Sequence, residues 1–400
     1  MSESSSTDQA HTTPPLPSVG MQALAVSVPD RVVTNDHWRK TQPQMVAEME
    51  KRIWMWKKPA NWDEGGSIAF NREMEPFLGD PFRGARERRL LEPGGTALSM
   101  EADAARKAMD AAGVGPEDID LLLLTSFLPD IHGIGGSAYL ARELGVKGAA
   151  WNMESACSSA NLAFLTATQL IRAGQYQRAL VVTSCTYSRV VVDGDPISWT
   201  VGDAATAVVV GHLPEKQGFL GAHSIHSGNT CGAVEYYLDV AEDGEPFHRM
   251  RTGKLAGKLL RETSEPNLKA CVSRALDQAG LEIGDIDFAV FNTPLAWYSA
   301  FCARALGIER EKTINLYPFY NNVGPCLTFT NLFHAAHWNL KPDDNVLLYS
   351  VGSVSSCAAI IMRWGDVALG PIPKGISQEE YDEVMRTFPR PVEASAEAVA

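Results

Sequence analysis

The sequence predicts an α/β fold built from two similar halves. Three observations lead there: a segment that occurs twice, the unbroken apolar strands that end both copies, and a cysteine set between a strand and a run of small residues. Residues 106–125 lie over residues 273–292 without a gap, and Ala108, Asp110, Ala112, Gly113, Asp118, Ile119 and Asp120 each recur in the second copy. Each copy reads as an amphipathic helix closed by a glycine, an Asp-rich turn, and a strand apolar along its length, the pattern of a strand buried on both faces. A second echo follows, since Arg178–Cys185 resembles Asp344–Ser350 as a turn leading into a buried strand. Repeated helix–strand units imply parallel strands with right-handed crossovers, and two such halves pack into a duplicated five-layered α/β/α/β/α body.

Residues 1–18 are rich in Ser, Thr and Pro and lack both a basic start and an apolar core. They are expected to form a disordered tail and not a signal peptide. The first half spans 19–214. Within it, 38–81 reads as an insertion carrying Trp38, Trp54, Trp56 and Trp62, with Met45, Met49, Ile53 and Trp56 at helical spacing. That spacing suits an amphipathic lid over a pocket and equally a segment that only packs on the body. The second half spans 215–366, and 367–400 forms a C-terminal extension.

A hydrophobic content of 45% in 400 residues is enough for an extensive core. The 35 basic and 48 acidic side chains leave a net charge of −13, which argues against nucleic acid or an anionic membrane surface as partner. Apolar runs such as Leu121–Leu124 and Ala204–Val210 have strand length, and none is long enough to span a membrane. Seven cysteines show neither paired spacing nor a Cys/His cluster, so no disulfide framework and no metal are expected, and a reducing cytoplasm fits.

In the stretch Asn152–Asn161, Cys157 sits where a strand stops and a small-residue helix begins. A thiol there meets unsatisfied backbone N–H groups and the positive helix end, which favour the thiolate and predict a nucleophile that carries an acyl group as a thioester. The alternative is a buried structural cysteine. Thr125 and Asn292 end the two repeated strands, and ligands gather at the carboxyl ends of such strands, so one pocket is expected to collect them with Cys157.

Cys157, the duplication, Val201–Ala207, the late Gly352-Ser353 turn and the stretch Arg83–Arg89 together resemble the thiolase superfamily, and within it ketoacyl-acyl-carrier-protein synthase III. The likeness runs from about Met21 to Trp364. It implies a thiolase-like fold and an acyl-enzyme mechanism, with Cys157 taking an acyl group from coenzyme A or an acyl carrier protein and passing it to a second substrate. No bound cofactor is implied, and a homodimer is. The backbone N–H groups of Cys157 and Ser353 are expected to hold the thioester oxyanion. The family's glycine-rich late turn is altered here to Val351–Ser356, a change that leaves backbone donors in place.

The family's asparagine falls on Asn322, where a helix cap is the competing role. Its histidine falls on Asn292, and no histidine lies within thirty residues of that position. An amide can donate a hydrogen bond but cannot act as a base near neutral pH. Two outcomes compete. Asn292 and Asn322 could still form a donor pair for carbon–carbon condensation, or the chemistry could have moved to acyl transfer onto an oxygen, nitrogen or sulfur acceptor in specialised, polyketide-type metabolism. Transfer is the reading adopted, with condensation and a non-catalytic partner subunit as alternatives.

Asp130 and His132 could supply a base, though a turn Asp and a solvated His fit the same loop. Glu154 is a candidate buried acid or a strand-end hydrogen-bond acceptor. His334, His337, His223 and His226 read as structural. Trp297 stands where the family often presents a basic residue to the donor, which leaves coenzyme A recognition open.

Overall fold

Both copies of the repeated segment fold alike in the computed structural model, which describes residues 17–58, 62, 67–191 and 194–391. The tail expected at 1–18 lies outside the described residues except for its last two. The strands are β1 (Val19–Ser27), β2 (Val32–Thr34), β3 (Glu87–Arg89), β4 (Leu121–Phe127), β5 (Ala149–Asn152), β6 (Arg178–Thr186) and β7 (Asp203–His212). The second half adds β8 (Gly218–His226), β9 (Val234–Val240), β10 (Pro246–Thr252), β11 (Phe288–Phe291), β12 (Asn345–Gly352), β13 (Ser356–Arg363) and β14 (Ala368–Leu369). The helices are α1 (Asn35–Thr41), α2 (Pro43–Met55), α3 (Ile68–Met74), α4 (Ala97–Ala112), α5 (Ser137–Leu144) and α6 (Ser159–Arg172). They continue with α7 (Ala256–Ala279), α8 (Tyr298–Leu306), α9 (Tyr317–Tyr320), α10 (Leu327–Trp338) and α11 (Gln378–Thr387).

The repeat is realised element by element. α4 stops at Gly113 and α7 at Gly280, each glycine in the left-handed conformation, and each is followed by a short 3₁₀ turn and a fully buried strand. β4 pairs in parallel with β6, and β11 in parallel with β12, which makes the second sequence echo the neighbouring strand of the same sheet in each half. Both sheets then continue through two antiparallel partners, β7 and β1 in one, β13 and β8 in the other. The first sheet has the order β14-β1-β7-β6-β4-β5 and the second β11-β12-β13-β8.

The layers follow from where the helices bury their apolar faces. α6 and α10 lie between the two sheets, α4 and α5 cover the outside of the first, and α7 and α8 cover the outside of the second. Phe164 of α6 meets Phe329 of α10 edge to face at 6.1 Å in this central layer. Both rings are fully buried, worth about 2–3 kcal/mol each.

The halves exchange two pieces that the repeat does not foretell. β14, beyond residue 366, returns to the edge of the first sheet beside β1. From the 38–81 segment, Trp38, Val46, Phe70 and Phe77 join the core of the second half. α2 buries Val46 and half-buries Met45, Met49 and Ile53, whereas Trp54 and Trp56 are exposed.

Candidate active site

Cys157 stands at the entrance of the central layer. β5 ends at Asn152, so the cysteine lies five residues beyond the strand and not at its end as the sequence suggested. The intervening chain is held tightly. Ala156 takes a left-handed φ of 49°, Ala156–Ser158 forms a 3₁₀ turn, and α6 begins at Ser159. The Glu154 carboxylate accepts from the Ala156 N–H at 2.8 Å and from the Ser159 hydroxyl at 3.0 Å, closing the turn that presents the sulfur. Burial of that carboxyl raises its pKa to about 7, although the residue as a whole keeps solvent contact.

The thiol itself departs from expectation. Burial pushes Cys157 up to about 11, against the helix-start argument for a thiolate. A hydrogen bond from Tyr187 and the backbone N–H groups of Ser353 and Cys157 act in the opposite direction, and the Glu154 charge adds to the rise. Desolvation wins because the residue is buried and lines an apolar cavity.

The late turn joins β12 to β13 through Gly352–Ser355, closed by a bond from the Ser355 N–H to the Gly352 carbonyl at 2.9 Å. Ser353 and Val354 both take left-handed φ values, 47° and 65°, where a β-branched residue is an outlier that the surrounding packing must hold. Gly352 allows the turn to approach Cys157: a Cβ there would lie 2.8 Å from the Cys157 nitrogen and 2.9 Å from that of Ser158. The turn thus packs directly against the start of the Cys157 segment, and Ser353 lines the same cavity as Cys157.

Asn322 lines the same cavity as Cys157. Its side-chain carbonyl accepts from the Gly324 N–H at 2.9 Å, so the cap role is realised, and the Nδ2 donor is left over from that bond. Pro325 falls in a 3₁₀ turn, Gly324–Cys326, and α10 starts after it at Leu327.

Asn292 does not join them. It is fully buried, its Nδ2 donates to the Val351 carbonyl at 2.9 Å, and its Oδ1 accepts from the Val351 N–H at 3.1 Å. Both ends of the amide bind the strand that leads into the Gly352 turn, and Asn292 is not among the described residues that line the cavity with Asn322. Thr125 is likewise buried outside the cavity lining.

The cavity has a volume of about 370 Å³ and runs from Cys157 past Tyr187, Tyr236, Phe70, Trp297 and Met250. Phe70 and Met74 of the 38–81 segment form part of its wall, as do Val234 and Thr252 of the β9–β10 hairpin. Among the described lining residues none carries a carboxyl, imidazole, amine or guanidinium group. Sequence reasoning missed Tyr187 and Tyr236. Tyr187 directly follows the echoed strand β6, which was a usable signal; Tyr236 reaches the site only through the hairpin's tertiary placement.

The other candidates lie elsewhere. Asp130 accepts from the Ala97 and Leu98 N–H groups at 3.1 and 2.9 Å and pairs with Arg189, which holds its carboxyl below the usual range and makes it an anchor for the start of α4. His132 stacks on His248 at 4.4 Å. His334 is buried against the Tyr320 hydroxyl at 2.9 Å, and burial lowers it to about 3, so it stays neutral. No metal-binding cluster and no helix long and apolar enough to cross a membrane occur among the described residues. All seven cysteines are free thiols.

Comparison with known proteins agrees with this architecture. Residues 151–228 match the family model for 3-oxoacyl-(acyl-carrier-protein) synthase III, and residues 276–364 match the model for the C-terminal part of that enzyme. Beta-ketoacyl-(acyl-carrier-protein) synthase III of Brucella abortus is 30% identical over 291 residues, covering 70% of this chain and 88% of the relative. The protein of the same name from Chelativorans is 27% identical over 286 residues, with the same coverage. Among solved structures, FabH of Pseudomonas aeruginosa superposes with a TM-score of 0.70 at 20% identity, covering 89% of this chain and all of that one. A variant of Xanthomonas campestris OleA gives 0.72 at 20% identity, covering 87% and 97%.

Proposed function

The chain belongs to the 3-oxoacyl-(acyl-carrier-protein) synthase III family of the thiolase superfamily, and from that premise we propose that it is an acyltransferase working through a thioester on Cys157. The observation that carries the reading is that Cys157, Ser353 and Asn322 line one apolar cavity whose described lining has no base, with the Ser353 and Cys157 N–H groups favouring the thiolate against burial. The thiol attacks the carbonyl carbon of an acyl thioester, the carbonyl oxygen takes the negative charge, and the two amides hold it; one such donor is typically worth about 10²–10³ in rate. Collapse expels the donor thiol, coenzyme A or a phosphopantetheine carrier, and leaves the acyl group on Cys157. An acceptor hydroxyl, amine or thiol then takes it. The cavity's modest volume and aromatic walls suit a compact apolar acyl group.

A specialised, polyketide-type pathway fits an enzyme that lacks the family's imidazole and carries an added wall from residues 38–81. A cytoplasmic homodimer is the assembly proposed. β5 is an open edge of the first sheet with Ala149 and Asn152 exposed, and such an edge invites pairing with another strand. Carbon–carbon condensation is the second reading; it draws on the relatives, which are beta-ketoacyl synthases, and on Asn322 in the cavity. Against a silent partner subunit stands the cavity that reaches Cys157.

Incubation with acyl-coenzyme A and acyl-carrier thioesters, followed by intact mass, tests the proposal. An acyl adduct is expected on the parent and not on Cys157→Ala. Adding malonyl or hydroxyl acceptors then separates the two readings, since released carbon dioxide marks condensation. No adduct with any donor would remove the acyltransferase.

A further inference from the structure

The proposed acyl transfer leaves one question of chemistry open, namely where the proton of a thiol with a pKa of about 11 goes when its sulfur attacks. The described cavity lining offers no imidazole, carboxyl or amine, but it offers two phenols. The Tyr187 hydroxyl lies 3.9 Å from the Cys157 sulfur, within hydrogen-bond reach for sulfur, and either atom can donate. Its ring stacks on that of Tyr236 at 5.9 Å and 26°, and Phe127 meets both edge on, at 5.4 and 4.8 Å. The two hydroxyls interact with one another, and that of Tyr236 lies 2.8 Å from the Met250 sulfur.

Tyr187 is also fixed from behind. The neighbouring Ser188 gives its N–H to Asp203 at 2.9 Å and its hydroxyl to the same carboxylate at 2.5 Å. The Thr186 hydroxyl bonds the Leu128 carbonyl at 2.9 Å. A side chain held on both flanks and 4% exposed is aimed at the sulfur by the fold.

We propose that Tyr187 is a catalytic residue which relays the Cys157 proton to the departing thiolate of the acyl donor, with Tyr236 orienting its hydroxyl. The inference rests on the acyl-thioester reading. As the Cys157 sulfur–carbon bond forms, the thiol proton passes to the Tyr187 oxygen and the phenolic proton passes to the leaving sulfur as the carbon–sulfur bond of the donor breaks. Tyr187 ends neutral, and Cys–SH plus acyl–SR becomes Cys–S–acyl plus HSR. Burial holds the Tyr187 hydroxyl well above its ordinary pKa, so it keeps a proton to give.

Tyr187→Phe tests this, because the ring and its packing stay while the hydroxyl goes. Two measurements are made: the rate of Cys157 adduct formation with acyl-coenzyme A, and the pH profile of Cys157 alkylation by iodoacetamide. The relay predicts acylation slowed about 10²-fold, in the range of a general acid–base group, and an alkylation profile shifted to higher pH, with circular dichroism unchanged. Alkylation uses no acyl donor. It therefore reads the Tyr187–Cys157 bond even if no adduct ever forms, an outcome that would defeat the acyltransferase and not the bond. Coincident alkylation profiles, or acylation within twofold of the parent, overturn the relay. Should Tyr187→Phe fail to fold, Tyr236→Phe reads the same chain, and an unshifted alkylation profile there overturns it as well.

Discussion

The two central helices begin in the same way and do different things. α6 and α10 each follow a 3₁₀ turn whose first residue has a left-handed φ, Ala156 at 49° and Gly324 at 56°. In each, the side chain two residues before that position accepts its N–H, Glu154 at 2.8 Å and Asn322 at 2.9 Å. The next position is Cys157 in one half and Pro325 in the other. The backbone device is thus shared by both halves, while only one carries a thiol at its next position. What the difference teaches is that the duplicated fold supplies the presenting turn, and a single side chain decides what the turn presents.

The comparison sharpens at the left-handed residue. Gly324 is the residue its position requires, since a Cβ there would lie 2.8 Å from the Cys185 sulfur. Gly324→Ala is expected to destabilise the fold by about 3 kcal/mol, adding a left-handed alanine to an overpacked contact. Denaturant unfolding measures it, and a loss below about 1 kcal/mol would break the parallel between the two turns.

Glu154→Gln probes the nucleophile's own turn. The amide oxygen can still accept from Ala156 and Ser159, but the charge that raises the Cys157 pKa is gone. Because the Glu154 pKa is raised to about 7, the charge is present only above that pH. Cys157 alkylation is expected to rise about two- to threefold at pH 8 and to be unchanged at pH 5.5, an effect of the size of a screened charge pair. The linkage has a definite sign. A carboxyl whose folded pKa exceeds its unfolded one favours the folded state when protonated, so the parent loses stability as pH rises from about 4.5 to 7. The variant lacks that slope, and thermal melts across this window detect it.

The smallest change is expected at Ala156→Gly. Relief of about 1–2 kcal/mol of left-handed strain is offset by about 0.5–1 kcal/mol of added chain entropy, for a net gain near 0.5 kcal/mol. A clear loss of stability would mean that the Ala156 methyl packs usefully and that the two turns differ more than their φ values say.

Much of the frame was legible in the sequence because repetition and burial leave periodic marks. Gly113 and Gly280 ended their helices, and Leu121–Leu124 and Phe288–Phe291 formed strands buried on both faces. Cys157, Asn322 and Ser353 were singled out through motif likeness, and all three line one cavity. The setting of Asn292 was only half legible for a physical reason: its place after β11 was readable, but the direction of its amide depended on β12, and Val351 lies 59 residues away. The ionisation of Cys157 was misjudged because a helix start is a local feature, whereas desolvation is a sum over everything packed around the sulfur.

The sequence by itself determined two sheets, the helices that cover them and the place of Cys157 just ahead of α6, since these follow from patterns a few residues long. Only the tertiary structure decided that Asn292 braces a turn, that the β9–β10 hairpin and α3 wall the cavity, and that two phenols stand beside the thiol. Those outcomes depend on which surfaces meet across long separations, where close packing and the loss of water set each group's partner and charge.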